Sequence, residues 1–172
     1  HSAASGTATG SALPLARAGA GCTFSVAYTD RRGALLKSPP AYDADWIAEI
    51  ALDVEWAHAI APLARLVLIE VSSDNSNQLQ GGVALANRMG PGVVSMSFGA
   101  PEGAWVRATD ANFAAAGMSY VAAAGDRGAQ VLWPAVSPHV LAVGGTSLEW
   151  DAGSVRREAA WAGSGGGVST VE

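Results

Sequence analysis

The chain has 172 residues, enough for one ordinary domain, and 49% of them are apolar while 15% are charged. This composition can bury a substantial core and excludes a chain that is disordered throughout. The 15 acidic and 10 basic residues include no basic cluster larger than a pair of arginines, which argues against a nucleic-acid surface, and no apolar run is as long as a membrane span.

The start of the chain carries few structural signals. Residues 1 to about 21 are rich in Ser, Ala, Gly and Thr and predict a flexible lead. Because the chain begins at His1 and has no signal-peptide pattern, we interpret it as a processed product or a piece of a longer protein. The single Cys22 excludes an internal disulfide. A strand is predicted from Cys22 to Tyr28, followed by a turn from Thr29 to Gly33.

The segment from Asp43 to Pro62 predicts a helix, because an Asp at position 43 or 45 can cap its start and Pro62 can end it. Because an α-helix turns by about 100° per residue, two acids and three apolar residues lie in one stripe along its surface. The stripe consists of Trp46, Glu49, Asp53, Trp56 and Ile60. Apolar residues on the other flanks indicate a buried helix. Buried carboxylates concentrate at functional sites, although a pair satisfied by backbone donors at a helix–sheet contact is the alternative.

Beyond Pro62, apolar strands alternate with helices. Strands are predicted at 65–71, 93–97, 118–124, 140–143 and 146–150, and helices at 75–89 and 105–116. This alternation indicates a mainly parallel α/β sheet. Because sites in such sheets form at the carboxyl ends of the strands, the pattern points to residues 70–72, 97–99 and 125–128.

Several polar residues lie in Gly-containing turns. Asp126, between two glycines, either faces a substrate or bonds its own backbone as a turn aspartate. Ser147 lacks the helix start that a nucleophile elbow needs, and Ser95 and Ser97 are expected to pack or to bond the backbone. None of the three histidines has a motif around it, so neither a His-based triad nor a zinc site is supported. Gly165–Gly167 has no strand before it and no helix after it, which makes a phosphate loop a weak interpretation.

Taken in order, these segments resemble the sedolisin family of serine-carboxyl peptidases. The matching stretches are Glu49–Trp56 with Ala61–Pro62, Val94–Gly99, Ala123–Gly128, Pro134–Pro138, Ala142–Leu148, Glu158–Trp161 and Gly165–Ser169. The resemblance implies a three-layer subtilisin-like fold with a mainly parallel central sheet flanked by helices. Residues 41 to 172 would be a partial catalytic domain, whereas residues 1 to 40 match the family poorly.

The resemblance also implies roles for three acids. Glu49 matches the general base, Asp53 the acid that orients and tunes it, and Asp126 the acid that donates a hydrogen bond to the oxyanion. A carboxylate base, with a reference pKa of about 4.3, suits an acidic medium. Arg127 stands where the family usually has Ser, and a cation there favours the charged form of Asp126, which cannot donate.

The family's nucleophile lies in a Ser-Gly-Thr-Ser turn that this sequence lacks. The complete protein is therefore expected to be a secreted, acid-acting endopeptidase with peptide or protein substrates, and the chain alone is expected to be inactive. The alternative is a truncated or inactive homologue that binds peptides or partners. Calcium is expected only through ligands outside this chain. The isolated chain is expected to associate with itself or with a missing C-terminal half, because a sheet edge and an apolar face would be exposed. A nucleotide-binding domain is disfavoured, since no Gly-rich strand-to-helix turn is present.

Overall fold

The computed structural model describes residues 22–151 and 155–172, so the flexible lead predicted for residues 1 to about 21 lies outside the described residues. The bounds of the elements follow in chain order. They are β1 (Thr23–Thr29), β2 (Leu35–Leu36), α1 (Ile47–Ile60), β3 (Arg65–Val71), α2 (Ser76–Arg88), β4 (Gly92–Met96), β5 (Ala100–Pro101), a 3-10 helix (Val106–Phe113), β6 (Met118–Ala123), β7 (Leu132–Trp133), β8 (Leu141–Val143), β9 (Thr146–Asp151) and β10 (Val155–Ala160).

Six of the described strands form two arrays that are parallel except for the short β2, which confirms the predicted mainly parallel sheet. In the first array β1 pairs with β3 along its whole length, and the short β2 pairs antiparallel with the end of β1. In the second array β4 pairs with β6, and β6 pairs with β8. Two antiparallel pairs, β5 with β7 and β9 with β10, lie outside these arrays.

The core lies around β4, β6 and the 3-10 helix. Its largest member is Trp133, which is fully buried and donates its indole N–H to Thr109 Oγ1 at 2.8 Å. This bond satisfies the only polar atom of the Trp133 side chain, so its burial costs little. The other buried members of the core are Val83, Met96, Val106, Phe113, Tyr120 and Ala122.

Helix α2 begins where the sequence predicts it. Asn75 caps it, because its side-chain oxygen accepts a hydrogen bond from the backbone N–H of Gln78 at 3.0 Å. Gly81 allows the loop after β1 to lie against the helix, since a Cβ at this position would come within 2.2 Å of the Asp30 carbonyl oxygen. Helix α2 is thereby fixed to the first array.

The start of α1 differs from the prediction. Its N-cap is Trp46, which makes no side-chain capping bond. The carboxylate of Asp43 instead accepts from the backbone N–H of Asp45 at 3.0 Å and closes a turn before the helix. The helix ends at Ile60, just before Pro62, in agreement with the sequence.

The prediction that α1 is buried is wrong. No residue of this helix is buried, and the exposed fractions of Trp56 and Ile60 are 62% and 77%. The side that bears Glu49 and Asp53 is half-buried, because α1 packs against β3. Within the described residues, no element covers the outer side of α1.

Two further predictions need correction. The helix predicted for 105–116 is a 3-10 helix, in which the Thr109 hydroxyl donates to the Val106 carbonyl at 2.7 Å and so competes for helix acceptors. Strand β10 was not predicted, because its charged sequence shows no alternation of apolar residues.

None of the described helices is both long and apolar enough to cross a bilayer.

Candidate active site

Two of the three strand ends singled out in the sequence meet at one cavity. Strands β4 and β6 are parallel neighbours with Met96 opposite Ala122, so their carboxyl ends lie side by side. The cavity at these ends has a volume of about 300 Å³, and its lining includes residues 97–99 and 125–127. Residues 70–72, at the end of β3, do not line it.

Helix α1 is connected to this cavity by a hydrogen bond between two side chains. The Ser97 hydroxyl, directly after β4, donates to Asp53 Oδ1 at 2.7 Å. The expectation that Ser97 packs or bonds the backbone is therefore wrong. Its position just beyond an apolar strand was the available signal, because the side chain there leaves the sheet and can reach another element.

Glu49 lies one turn before Asp53 on the same side of α1. The four-residue spacing corresponds to a rise of about 6 Å along the axis, so the two carboxyl groups are neighbours on the helix surface. Both residues are half-buried. Asp53 accepts the hydrogen bond from the Ser97 hydroxyl, so the serine fixes the position of this acid of the pair.

Asp126 projects from a loop whose conformation depends on glycine. Gly125 has a φ of 110° and Gly128 a φ of 68°, both in the region that L side chains rarely adopt. Asp126 is exposed and lines the cavity together with Arg127. Asp30 behaves differently, because its carboxylate accepts backbone N–H groups within its own turn.

The glycine-rich segment near the end of the chain supports the Asp126 loop. Three backbone hydrogen bonds join the two segments: Gly128 N to Gly163 O at 2.9 Å, Gly165 N to Gly125 O at 2.6 Å, and Gly166 N to Gln130 O at 3.1 Å. A Cβ at Gly165 would lie 1.9 Å from the Ala124 carbonyl oxygen, so only glycine fits. The glycines therefore permit close backbone contact beside the site.

Glu102 fixes the last residues of the chain beside the cavity. Its carboxylate accepts the Ser169 hydroxyl at 2.6 Å and, from Thr170, the hydroxyl at 2.9 Å and the backbone N–H at 3.1 Å. The hydrogen bond from Ser169, followed by those from Thr170, holds the pKa of Glu102 below its ordinary value of 4.5.

This attachment is expected to weaken in acid. Because folding lowers the pKa of Glu102, its contribution to stability is complete above the ordinary value of 4.5 and is lost as the pH falls through the folded-state pKa. Amide exchange at Thr170 should therefore quicken as the pH falls below 4.5, after correction for intrinsic exchange rates. Ser169→Ala should move the transition to higher pH, and an unchanged transition in this variant would contradict the attachment.

In the described part of the chain, no group of three or more His, Cys, Asp or Glu residues is arranged to hold a metal ion. The polar side chains that line the cavity are the Ser97 hydroxyl, the Asp126 carboxyl group, the Arg127 guanidinium and the Gln130 amide. Such a set can move protons and donate hydrogen bonds to a bound carbonyl group.

Comparisons with a family model, with known protein sequences and with solved structures give concordant matches. The family model of the subtilases matches residues 25–166, a range that starts in β1 and includes both strand ends at the cavity. Kumamolisin from Bacillus sp. (strain MN-32) is 35% identical over an alignment of 147 residues, which covers 72% of this chain and 27% of kumamolisin.

The third match is a solved structure of sedolisin from Pseudomonas, a serine-carboxyl proteinase complexed with two molecules of pseudo-iodotyrostatin. It superposes with a TM-score of 0.66 at 23% identity and covers 88% of this chain and 50% of the sedolisin chain. At this identity the match shows a shared fold, which confirms the subtilisin-like architecture implied by the sequence. This chain spans about half of the sedolisin structure and about a quarter of kumamolisin. The chain belongs to the subtilase family and, within it, to the sedolisins.

Proposed function

We propose that the complete protein is an acid-acting serine-carboxyl endopeptidase and that this chain supplies its general base and its oxyanion donor. The hydrogen bond from Ser97 to Asp53 carries the proposal, because it connects α1 to the cavity that Asp126 lines. Family membership supports peptide-bond hydrolysis as the chemistry.

In the proposed reaction, a serine outside the chain described here attacks the carbonyl carbon of a peptide. Its hydroxyl proton passes to Glu49, and the proton is then given to the leaving amine nitrogen as the C–N bond breaks. Water hydrolyses the resulting acyl-enzyme by the same steps in reverse. Asp53 is proposed to orient Glu49 for this proton transfer.

Asp126 is proposed to donate a hydrogen bond to the oxyanion of each tetrahedral intermediate. It must be protonated to do so, which favours low pH. Arg127 lines the same cavity as Asp126.

Ser97 is proposed as a positioning residue that acts through Asp53. In the complete protein, Ser97→Ala is expected to lower kcat by about 10- to 100-fold, since a hydrogen bond to a charged group contributes about 1.5–3 kcal/mol. The acid limb of the pH–rate profile should also shift, which a merely structural role would not cause. Ser95→Ala is the matched control, because Ser95 lies in β4, is exposed and is two residues from Ser97. An unaltered pH profile in Ser97→Ala would exclude the positioning role.

The second candidate is a truncated or inactive homologue that binds peptides or partners. It is favoured by Arg127, which lines the cavity together with Asp126. An assay of peptide hydrolysis at about pH 3 to 5, the range suited to a carboxylate base, distinguishes the two functions. The endopeptidase proposal predicts hydrolysis by the complete protein and none by the isolated chain. If the complete protein is inactive, the binding function is supported. If the isolated chain hydrolyses peptides and Glu49→Gln abolishes this activity, the chain is not an inactive homologue.

Three further properties are proposed from the family resemblance alone. The complete protein is secreted, it acts in acidic surroundings, and it binds calcium through ligands outside this chain. The exposed apolar side of α1 supports the association of the isolated chain with itself or with the rest of the domain. Light scattering at increasing concentration tests this association, and a cooperative monomer throughout would contradict it.

A further inference from the structure

The cavity at the ends of β4 and β6 is lined by one cation, and its guanidinium has no carboxylate partner. Arg127 lines the cavity, is exposed, and follows Asp126 in the chain. Within the described residues, the only ion pair joins Arg156 to Glu158, so Arg127 is paired neither with Asp126 nor with another acid. The N–H donors of Arg127 therefore remain available to a group that enters the cavity.

The charges of the lining favour an anion. Asp126 and Arg127 are the only charged residues that line the cavity. In the proposed reaction Asp126 is protonated while it acts, so the lining then carries one net positive charge. Gln130 adds a side-chain amide whose N–H groups can also donate to an anion. Both side chains can bind a carboxylate, and a guanidinium can donate two parallel hydrogen bonds to it.

Part of the lining is apolar, which suits the methylene groups that carry a carboxylate. Leu132 lies against Gly99 and Gly125, because a Cβ added at these glycines would come within 2.8 Å and 2.9 Å of Leu132 Cδ1. Phe98 and Pro101 also line the cavity. An apolar surface next to a cation can bind both the stem and the head of an acidic side chain.

The backbone on both sides of Arg127 is fixed. Gly128 N donates to Gly163 O at 2.9 Å, and Gly125 O accepts from Gly165 N at 2.6 Å. The base of the Arg127 side chain is therefore held at the cavity, although the residue is exposed. A fixed attachment point reduces the conformational freedom that is lost when a ligand binds.

The neighbouring Asp126 indicates which substrate residue meets Arg127. Asp126 is proposed to bind the carbonyl oxygen of the peptide group that is cleaved. The side chain of the substrate residue that supplies this carbonyl group branches from the adjacent Cα atom. A cavity that receives the carbonyl oxygen at Asp126 therefore also receives this side chain beside Arg127.

We propose that the cavity selects substrates with an acidic residue on the N-terminal side of the cleaved bond, and that Arg127 recognises the carboxylate of this residue. Gln130 donates a further hydrogen bond, and the apolar lining contacts the methylene groups. The inference rests on the proposed function, because it names the substrate class of the same site. Arg127 acts in recognition and takes no part in proton transfer.

Kinetics of the complete protein on three matched peptides tests this inference. The peptides are identical except at the residue before the cleaved bond, which is Glu, Gln or Lys. At about pH 5, kcat/KM for the Glu peptide should exceed that for the Gln peptide at least about fivefold, the effect of an exposed ion pair. The preference should fade toward about pH 3, because the ordinary pKa of a Glu side chain is about 4.3 and its protonated form has no charge to pair.

Substitutions of Arg127 assign the preference to this residue. Arg127→Ser should bring the Glu and Gln peptides to equal kcat/KM, and Arg127→Glu should favour the Lys peptide over the Glu peptide. Arg31→Ser is the matched control, because it removes the same charge from an exposed turn that does not line the cavity. Equal kcat/KM for the Glu and Gln peptides in the wild-type protein, or a preference that survives Arg127→Ser, would overturn the inference.

Equilibrium binding separates a failure of this inference from a failure of the proposed function. Glu49→Gln is expected to hydrolyse peptides too slowly to interfere, so dissociation constants can be measured in the complete protein whether or not the wild type is a peptidase. The Glu peptide should bind at least about fivefold more tightly than the Gln peptide at about pH 5. Equal dissociation constants would contradict the inference even if hydrolysis of neutral peptides confirmed the proposed function.

Discussion

Replacing Glu49 by Gln in the complete protein is expected to lower kcat by about 10²- to 10⁴-fold, the usual contribution of a positioned general base. Glutamine keeps the size and half-buried position of the side chain but cannot accept the serine proton. Steady-state kinetics on a peptide substrate at the pH of maximal activity measures the effect. Because the lost interaction belongs to the transition state, kcat and kcat/KM should fall together with little change in KM.

The control for this substitution lies on the same helix. Glu55→Gln removes the same charge from an exposed position of α1 that lies outside the stripe of Glu49 and Asp53, so kcat should remain unchanged. If Glu49→Gln retained full kcat, or if Glu55→Gln lost as much, the general base would have to be sought elsewhere.

Asp126→Ala is expected to lower kcat by about 10²- to 10³-fold, the cost of removing one oxyanion donor. Asp126→Asn distinguishes donation from charge, since its amide donates a hydrogen bond at every pH. The Asn variant should therefore keep more activity than the Ala variant and should lose less of it as the pH rises. Kinetics of both variants across about pH 3 to 6 provides the comparison.

Arg127→Ser adds a matched test on the neighbouring residue. Removing the guanidinium should leave activity on a neutral peptide in place, because Arg127 has no part in the proposed reaction. Equal losses in Asp126→Ala and Asp126→Asn, or an equal loss in Arg127→Ser, would contradict the oxyanion role of Asp126.

Most of the regular elements could be predicted from the sequence because each carries a local signal. Strand β3 matches its predicted bounds, Arg65 to Val71, since an uninterrupted apolar run between breakers defines it. Helix α2 was predicted to within a residue at each end, because Asn75 and the glycine after Met89 mark its limits. The sequence predicts an α-helix where the structure has a 3-10 helix. The spacing of apolar residues does not show the hydrogen bond from the Thr109 hydroxyl, which competes for a helix acceptor.

The site was predictable only in part, and for a physical reason. Spacing along a helix places Glu49 beside Asp53, and the end of a parallel strand places Asp126 at the sheet's rim. The bond from Ser97 to Asp53 joins residues far apart in the chain, so no local pattern reports it. Likewise, the apolar sequence of α1 predicts a helix that another element covers, but burial requires that this element is present. Trp56 and Ile60 are exposed because no element within the described residues covers them.

The pH dependence of kcat/KM for the complete protein tests the proposed chemistry most directly. The account predicts a bell-shaped profile with its maximum between about pH 3 and 5, limited on the acid side by protonation of the base and on the alkaline side by deprotonation of the oxyanion donor. Glu49→Gln should remove the acid limb along with most of the activity. If the profile had its maximum near neutral pH and the Glu49→Gln variant gave the same profile, a mechanism based on carboxyl groups would be contradicted.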